Sequence, residues 1–253
     1  MGGKAVSDPL PVEISRQDAV AEIALNRPER KNAITGPLVQ ALSSVFRECE
    51  SDDDMRAVVL RGAGGSFCSG LDLKEFNADP RPPWTATFPA AWRGLHEQIA
   101  AFPKPVVACV EGYAINAGAA LALSADFMIV GRGAFLQVGE VRQGVPAPMN
   151  LAWLRGRFGD SIARRVTLLG DRIPGAELER LGIAFRAVDD GDVANDARML
   201  AAELAAIPGN GIAVTKAVLR ALDLPGSPNG WFERAQAAVG ARRQGGPLPS
   251  LKQ

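Results

Sequence analysis

Histidine is almost missing from this chain: one residue, His96, in 253. A single imidazole excludes a two-histidine zinc motif and leaves any Ser-His-Asp triad dependent on that one side chain. Cysteine is nearly as scarce. Cys49, Cys68 and Cys109 are far apart and odd in number, which argues against a disulfide framework or a cysteine-rich zinc site and points to a reducing cytoplasm. Net charge is absent too. Lys+Arg and Asp+Glu both number 28, so no basic field gathers nucleic acid or an anionic membrane surface. No apolar run approaches the roughly 18 residues needed to span a bilayer, and residues 1–10 lack a basic stretch followed by an apolar one. The expectation is a cytoplasmic protein with no export signal, no membrane insertion, no nucleic-acid partner and no metal or redox cofactor.

What is present is apolar content of 47%, enough for one sizeable core. Val12 to Ser15 and Val20 to Leu25 alternate as a hairpin around Arg16-Gln17-Asp18. From Thr35 to Cys49, Leu38, Ala41, Leu42, Val45, Phe46 and Cys49 form one helical stripe, with Thr35 as cap and Pro37 in the first turn. Strands follow at Ala57 to Leu60, Val106 to Val110 and Phe127 to Val130, with an alanine-rich helix from about Ala117 to Leu123. This reads as repeated β-β-α units with parallel pairing. Helical spacing then recurs at Ile162 to Leu169, Ala176 to Leu181, Val193 to Ile207, Val214 to Leu222 and Trp231 to Val239. We divide the chain accordingly into a core domain, residues 1–190, and a C-terminal helical region, residues 191–253.

Between Asn77 and Trp92 stand Pro80, Pro82, Pro83 and Pro89 with Trp84, Phe88 and Trp92. The prolines resist regular structure, so this segment reads as a loop, either over a ligand pocket or packed on the surface. His96 lies in a helical stretch, Trp92 to Phe102, as a partly buried helix residue. Asp72 suits a cap, Asp126 the entrance of a strand and Glu111 a loop at a pocket rim; the tail from Gly245 is expected to fray.

A glycine-rich turn after a strand, Gly62-Ala63-Gly64-Gly65, suggests a phosphate cradle. A dinucleotide fingerprint starting at Gly62 would need glycine where Phe67 stands, and the Gly-Lys-Ser/Thr ending of a P-loop is absent. Neither Ser66 nor Ser69 sits in a Gly-x-Ser-x-Gly elbow. What remains is a pair of turns, Ser66-Phe67-Cys68-Ser69-Gly70-Leu71-Asp72-Leu73 and Gly112-Tyr113-Ala114-Ile115-Asn116-Ala117-Gly118. Each follows a strand and can expose free N–H groups, and two such turns brought together would hold an oxyanion. Taken singly, either could be no more than a tight turn.

With Leu25-Asn26-Arg27-Pro28 to Asn32-Ala33, Lys104-Pro105-Val106 and Glu140-Val141-Arg142-Gln143-Gly144, these segments stand in the order found in the crotonase (enoyl-CoA hydratase/isomerase) superfamily, which the chain closely resembles over most of its length. The resemblance implies an α/β fold, a spiral of β-β-α repeats with a C-terminal helical trimerisation region, and assembly as a homotrimer or homohexamer. It implies an acyl-CoA substrate, coenzyme A being part of that substrate rather than a cofactor. By position, the N–H groups of Ser69 and Ala117 would grip the thioester oxygen, Gly70, Leu71 and Asp72 of the same turn would bind the acyl-CoA with them, and Arg27, Arg30 and Lys31 would meet the coenzyme phosphates. Each of those cations also fits a solvated charge run.

Family hydratases hold a water between two glutamates. The first aligns with Ala120, so that base is missing. The second aligns with Glu140, preceded by Gly139 where proline is usual, in a stretch one residue short near Val145 and Pro146. A lone carboxylate beside an enolate suits double-bond isomerisation of an enoyl-CoA better than hydration. Hydration of a 2-enoyl-CoA and a catalytically silent CoA-binding or scaffold protein are the competing readings, and Glu140 could be a surface carboxylate paired with Arg142. Trp231, Phe232 and Arg242 or Arg243 are loose counterparts of family groups that close the site.

Overall fold

The computed structural model describes residues 10–222, 230 and 233. Val12–Gln17 (β1) and Val20–Leu25 (β2) form the expected antiparallel hairpin, turned at Asp18 with φ of 50°. Ala57–Gly62 (β3), Val106–Val110 (β4), Phe127–Gly131 (β6) and Arg186–Val188 (β9) add in parallel, in the order β1-β2-β3-β4-β6-β9. All five residues of β4 are buried, because a parallel strand in the middle of a sheet is covered on both faces. A second sheet joins Tyr113–Ile115 (β5), Phe135–Gln137 (β7) and Arg172–Pro174 (β8). Three residues per strand are too few for alternation to show in the sequence.

Successive residues of a strand point to opposite faces, and the two covers differ. Val58, Leu60, Val106, Ala108 and Val110 face the main core with Gly36–Ser51 (α1) and Trp84–Ala101 (α3). Val59, Val107, Cys109 and Ile129 face Val193–Ala206 (α7), through Val193, Ala197, Leu200 and Ala201. Helix α7, placed above in the C-terminal region, therefore covers one face of the sheet across β2, β3, β4 and β6. Helix α1 begins as expected, with Thr35 Oγ1 accepting from Leu38 N at 3.4 Å and Pro37 in the first turn.

The expected loop over 77–92 is a loop only to Pro83, after Leu73–Phe76 (α2); from Trp84 on it is the first half of α3, with Pro89 inside the helix. An interior proline costs about 3 kcal/mol. The compensation is aromatic burial, since Trp84, Phe88, Trp92 and His96 recur every four residues and pack as one ladder with ring centroids 5.5, 6.0 and 4.4 Å apart. His96 is a buried helix residue, as expected. Its Nδ1 accepts from Trp153 Nε1 at 2.9 Å, and burial pulls its pKa down to about 3, so the ring is neutral.

Ala117–Ser124 (α4) follows β5, and Pro148–Leu169 (α5), broken at Gly159, packs on it. Gly175–Arg180 (α6) and Gly211–Leu222 (α8) complete the described helices. Asp126 does hold a strand entrance: its Oδ2 accepts from Val106 N at 2.8 Å and from Lys216 Nζ of α8 at 2.6 Å. Of the block from Trp231 to Val239 only Glu233 is described; Trp231, Phe232, Arg242, Arg243 and the tail from Gly245 lie outside the described residues. Among the described residues no helix is long and apolar enough to cross a membrane.

Candidate active site

Backbone bonds stitch the two glycine-containing turns together. Cys68 N donates to Tyr113 O at 3.1 Å and Ile115 N donates to Cys68 O at 3.0 Å. Two glycines allow the close approach. A methyl on Gly118 would lie 2.5 Å from Cys68 O, and one on Gly70, whose φ is 100°, would lie 3.0 Å from Ile115 O and 3.8 Å from Ala117 N. The second distance places the Gly70-Leu71 peptide beside the first residue of α4.

Which amides remain open follows from the pairing. Ala117 is the first residue of α4, so its N–H has no intrahelical acceptor, and it donates to nothing among the described residues. Ser69, assigned above as the other donor, is already engaged: its N–H donates to Lys31 O at 3.0 Å. That assignment is corrected by the structure. Two residues on, Leu71 forms a parallel bridge with Ile34 in which the flanking atoms bond, Ile34 N to Gly70 O and Ile34 O to Asp72 N. A parallel bridge turns the central residue's own N–H to the opposite side. Leu71 N–H accordingly has no acceptor among the described residues.

The charged residues of the first motif hold this turn. Asp72 Oδ1 accepts from Glu75 N at 3.1 Å, capping α2, while Arg30 Nη2 donates to it at 3.0 Å and Arg27 Nη2 reaches Asp72 and Glu75 at 3.3 Å each. Burial pushes the Asp72 carboxyl up, but the Arg30 hydrogen bond, the Glu75 amide and the two guanidinium charges outweigh it and hold the carboxyl below its ordinary value. Arg27 and Arg30 are thus tied to Asp72 rather than free for phosphate. Lys31 is exposed, and its side chain makes no bond among the described residues. Asn32 is a further member that spacing did not single out. Fully buried, it donates to Ala63 O and Ser66 O at 2.8 Å each and clamps the turn before Ser69.

Glu140 opens a single helical turn, Glu140–Gln143, behind α4. Its Oε1 accepts from Asn150 Nδ2 at 3.1 Å, and its Oε2 is buried without a partner. Desolvation dominates here. It raises the pKa to about 7, opposed by the residue's own amide and by Asn150. The competing reading of Glu140 as a surface carboxylate paired with Arg142 finds no support, since Arg142 Nε donates to Leu169 O at 2.9 Å. Asn116 joins this carboxyl to the two turns. With φ of 53°, it accepts from Gly139 N at Oδ1 (2.9 Å) and from Asn150 Nδ2 at its carbonyl (3.0 Å). Proline at 139 would have no N–H for the first bond, which accounts for the absence of proline there. Ala120 is fully buried in α4 and carries nothing that titrates.

The arrangement can thus offer two N–H donors to an anionic oxygen and one carboxyl poised near neutrality for a proton. A cavity of about 890 Å³ lies elsewhere, lined by Trp153, Arg157, Phe185 and Leu219 among others, and neither Leu71, Ala117 nor Glu140 contributes to it. Among the described residues no cluster of His, Cys, Asp and Glu could hold a metal ion.

A family description, enoyl-CoA hydratase/isomerase, matches residues 15–233. The 1,2-epoxyphenylacetyl-CoA isomerase of Escherichia coli (strain K12) is 32% identical over 211 residues, 82% of this chain and 80% of that protein. The "Probable enoyl-CoA hydratase EchA14" of Mycobacterium tuberculosis (strain ATCC 25618 / H37Rv) is 34% identical over 218 residues, 86% of this chain and 84% of that one. A crystal structure of an enoyl-CoA hydratase from Mycobacterium avium subsp. paratuberculosis K-10 has a TM-score of 0.83 over 96% of this chain and 98% of its own, at 23% identity, a likeness of fold alone.

Proposed function

The chain belongs to the enoyl-CoA hydratase/isomerase family, and on that premise we propose that it isomerises an enoyl-CoA by moving one proton along the acyl chain. The thioester oxygen sits between the N–H groups of Leu71 and Ala117. Glu140, as carboxylate, removes a proton from C2 of a 3-enoyl-CoA, and the electron pair passes into the carbonyl as an enolate conjugated with the C3–C4 double bond. The same proton, now on Glu140, returns to C4, leaving the double bond at C2–C3. Nothing is consumed and no second base is needed. Each open N–H is worth about 3 to 4 kcal/mol to an oxyanion in such a site.

The observation that carries this reading is the Glu140 carboxyl with a pKa of about 7, with a methyl rather than a second carboxylate at position 120. A group that must both take and return a proton works best when its pKa lies near the working pH. Lys31, exposed at the edge of the Ser69 turn, is the cation of the first motif that we assign to the coenzyme phosphates. Assembly as a homotrimer or a pair of trimers belongs to the same reading, supported by exposed apolar side chains such as Leu168 and Leu169 at the end of α5.

Incubation with a 3-enoyl-CoA is expected to yield the 2-enoyl isomer, with kcat rising through about pH 7 to a plateau as Glu140 ionises. Rapid formation of a 3-hydroxyacyl-CoA from a 2-enoyl-CoA would instead make the protein a hydratase. A silent binding protein would turn over neither.

A further inference from the structure

Asn150 stands in the first turn of α5 and is 2% exposed. A polar side chain at that depth must find partners. Its Nδ2 has two hydrogens, and both are used: one on Glu140 Oε1 at 3.1 Å, the other on Asn116 O at 3.0 Å. Asn116 O belongs to the same peptide plane as Ala117 N. One rigid amide therefore grips, at once, the carboxyl that moves the proton and the peptide that presents an oxyanion donor. The pull on Asn116 O also polarises that peptide, which strengthens its N–H as a donor.

The bonds left unmade point the same way. Asn150 Oδ1 and Glu140 Oε2 are both buried without a hydrogen-bond partner. An asparagine kept only for packing would be paired at both ends, and buried unpaired atoms concentrate where a ligand or a proton belongs. Among the described residues no other charge competes for Glu140. Helix α4 and the first turn of α5 carry no titratable side chain, Arg142 turns to Leu169 O, Arg155 pairs with Asp160 at 3.3 Å, and Asp171 pairs with Arg165 at 2.8 Å.

We propose that Asn150 is the positioning residue of this site, holding the Glu140 carboxyl and the Asn116-Ala117 peptide in one register. The inference rests on the reading of Glu140 as the proton shuttle. Because Nδ2 donates to the ionised carboxylate, it also opposes the upward push of burial, and its loss moves the Glu140 midpoint higher. No spacing rule marks this residue, which stands alone as a polar side chain in Pro148-Met149-Asn150-Leu151-Ala152-Trp153.

The test is Asn150→Leu, which keeps close to the same volume and removes both donors without adding a charge. The readout is the Glu140 carboxyl titration by infrared difference spectroscopy, with Glu140→Gln identifying the band. The expected result is a midpoint raised by about one unit or more, and kcat lowered about 100-fold with KM changed less than about threefold. Should Asn150→Leu not fold, Asn150→Ala carries the same titration with a smaller side chain that cannot donate. An unmoved Glu140 midpoint in the folded variant would overturn the proposal whatever its turnover. If Glu140→Gln retains full turnover, the shuttle reading fails, while the titration still reports whether Asn150 controls the carboxyl.

Discussion

Two carboxyls, the buried Asp72 in the first glycine turn and the half-buried Glu140 with one oxygen enclosed, sit in opposite surroundings. Asp72 meets Arg27, Arg30 and the Glu75 amide and is held ionised. Glu140 meets one neutral amide, and burial lifts it to about 7. The difference separates a carboxyl that builds the turn from one that can exchange a proton on it. Residue type says nothing of this, since the partners decide.

The strongest way to break the contrast is to neutralise Glu140. Glu140→Gln is expected to lower isomerase kcat by about 10³-fold or more, measured with a 3-enoyl-CoA. The same variant should be more stable than the parent at neutral pH. Glu140 has a folded pKa raised from 4.5 to about 7, so its contribution is fully present below 4.5 and falls as pH rises through about 7. Removing the ionisable group should recover about 1 to 3 kcal/mol at pH 8 and nothing at pH 4, read from denaturant melts.

Gly70→Ala sharpens the geometric side. The added methyl meets Ile115 O in a backbone conformation at φ of 100° that alanine avoids, so the two turns are pushed apart. We expect kcat to fall about 100-fold while Glu140 titrates as before, measured by steady-state kinetics and infrared titration. Asp72→Asn reverses the other half. Two guanidinium groups lose their carboxylate, and stability should drop by about 1 to 3 kcal/mol in thermal or denaturant unfolding. The parent's Asp72 contribution is present above the unfolded pKa and is lost as pH falls through its lowered folded value, so the gap between the two proteins should close in acid.

The smallest effect concerns the exposed cation. Lys31→Ala should raise KM for an acyl-CoA a few-fold, more at low salt than at high, with kcat unchanged. Arg30→Ala, which loosens Asp72, should instead cost stability.

The main sheet was legible because β2, β3, β4 and β6 are short apolar runs bounded by turn residues, and α1 because its apolar side chains keep one helical stripe from Leu38 to Cys49. Helix α3 was not. Its prolines weigh locally against a helix, while the aromatic ladder that outweighs them exists only once Trp84, Phe88, Trp92 and His96 are stacked. The site divides in the same way. Ala117 was named from the family resemblance, and the start of α4 agrees with it in leaving that N–H open. Ser69 was misassigned, and Leu71 overlooked as a donor, because the choice between them depends on Lys31 and Ile34, which lie 38 and 37 residues earlier in the chain.

By itself the sequence determined the repeat architecture, the convergence of two glycine turns as an expectation, and the loss of one family glutamate at Ala120. These rest on local periodicity, on glycine where side chains cannot fit, and on the identity of a single residue. Only the tertiary structure decided which amides stay open, that Arg27 and Arg30 serve Asp72, and that Asn150 stands between Glu140 and the Ala117 peptide. Hydrogen-bond partners and burial are properties of neighbours in space, and those neighbours come from segments that the chain order keeps apart.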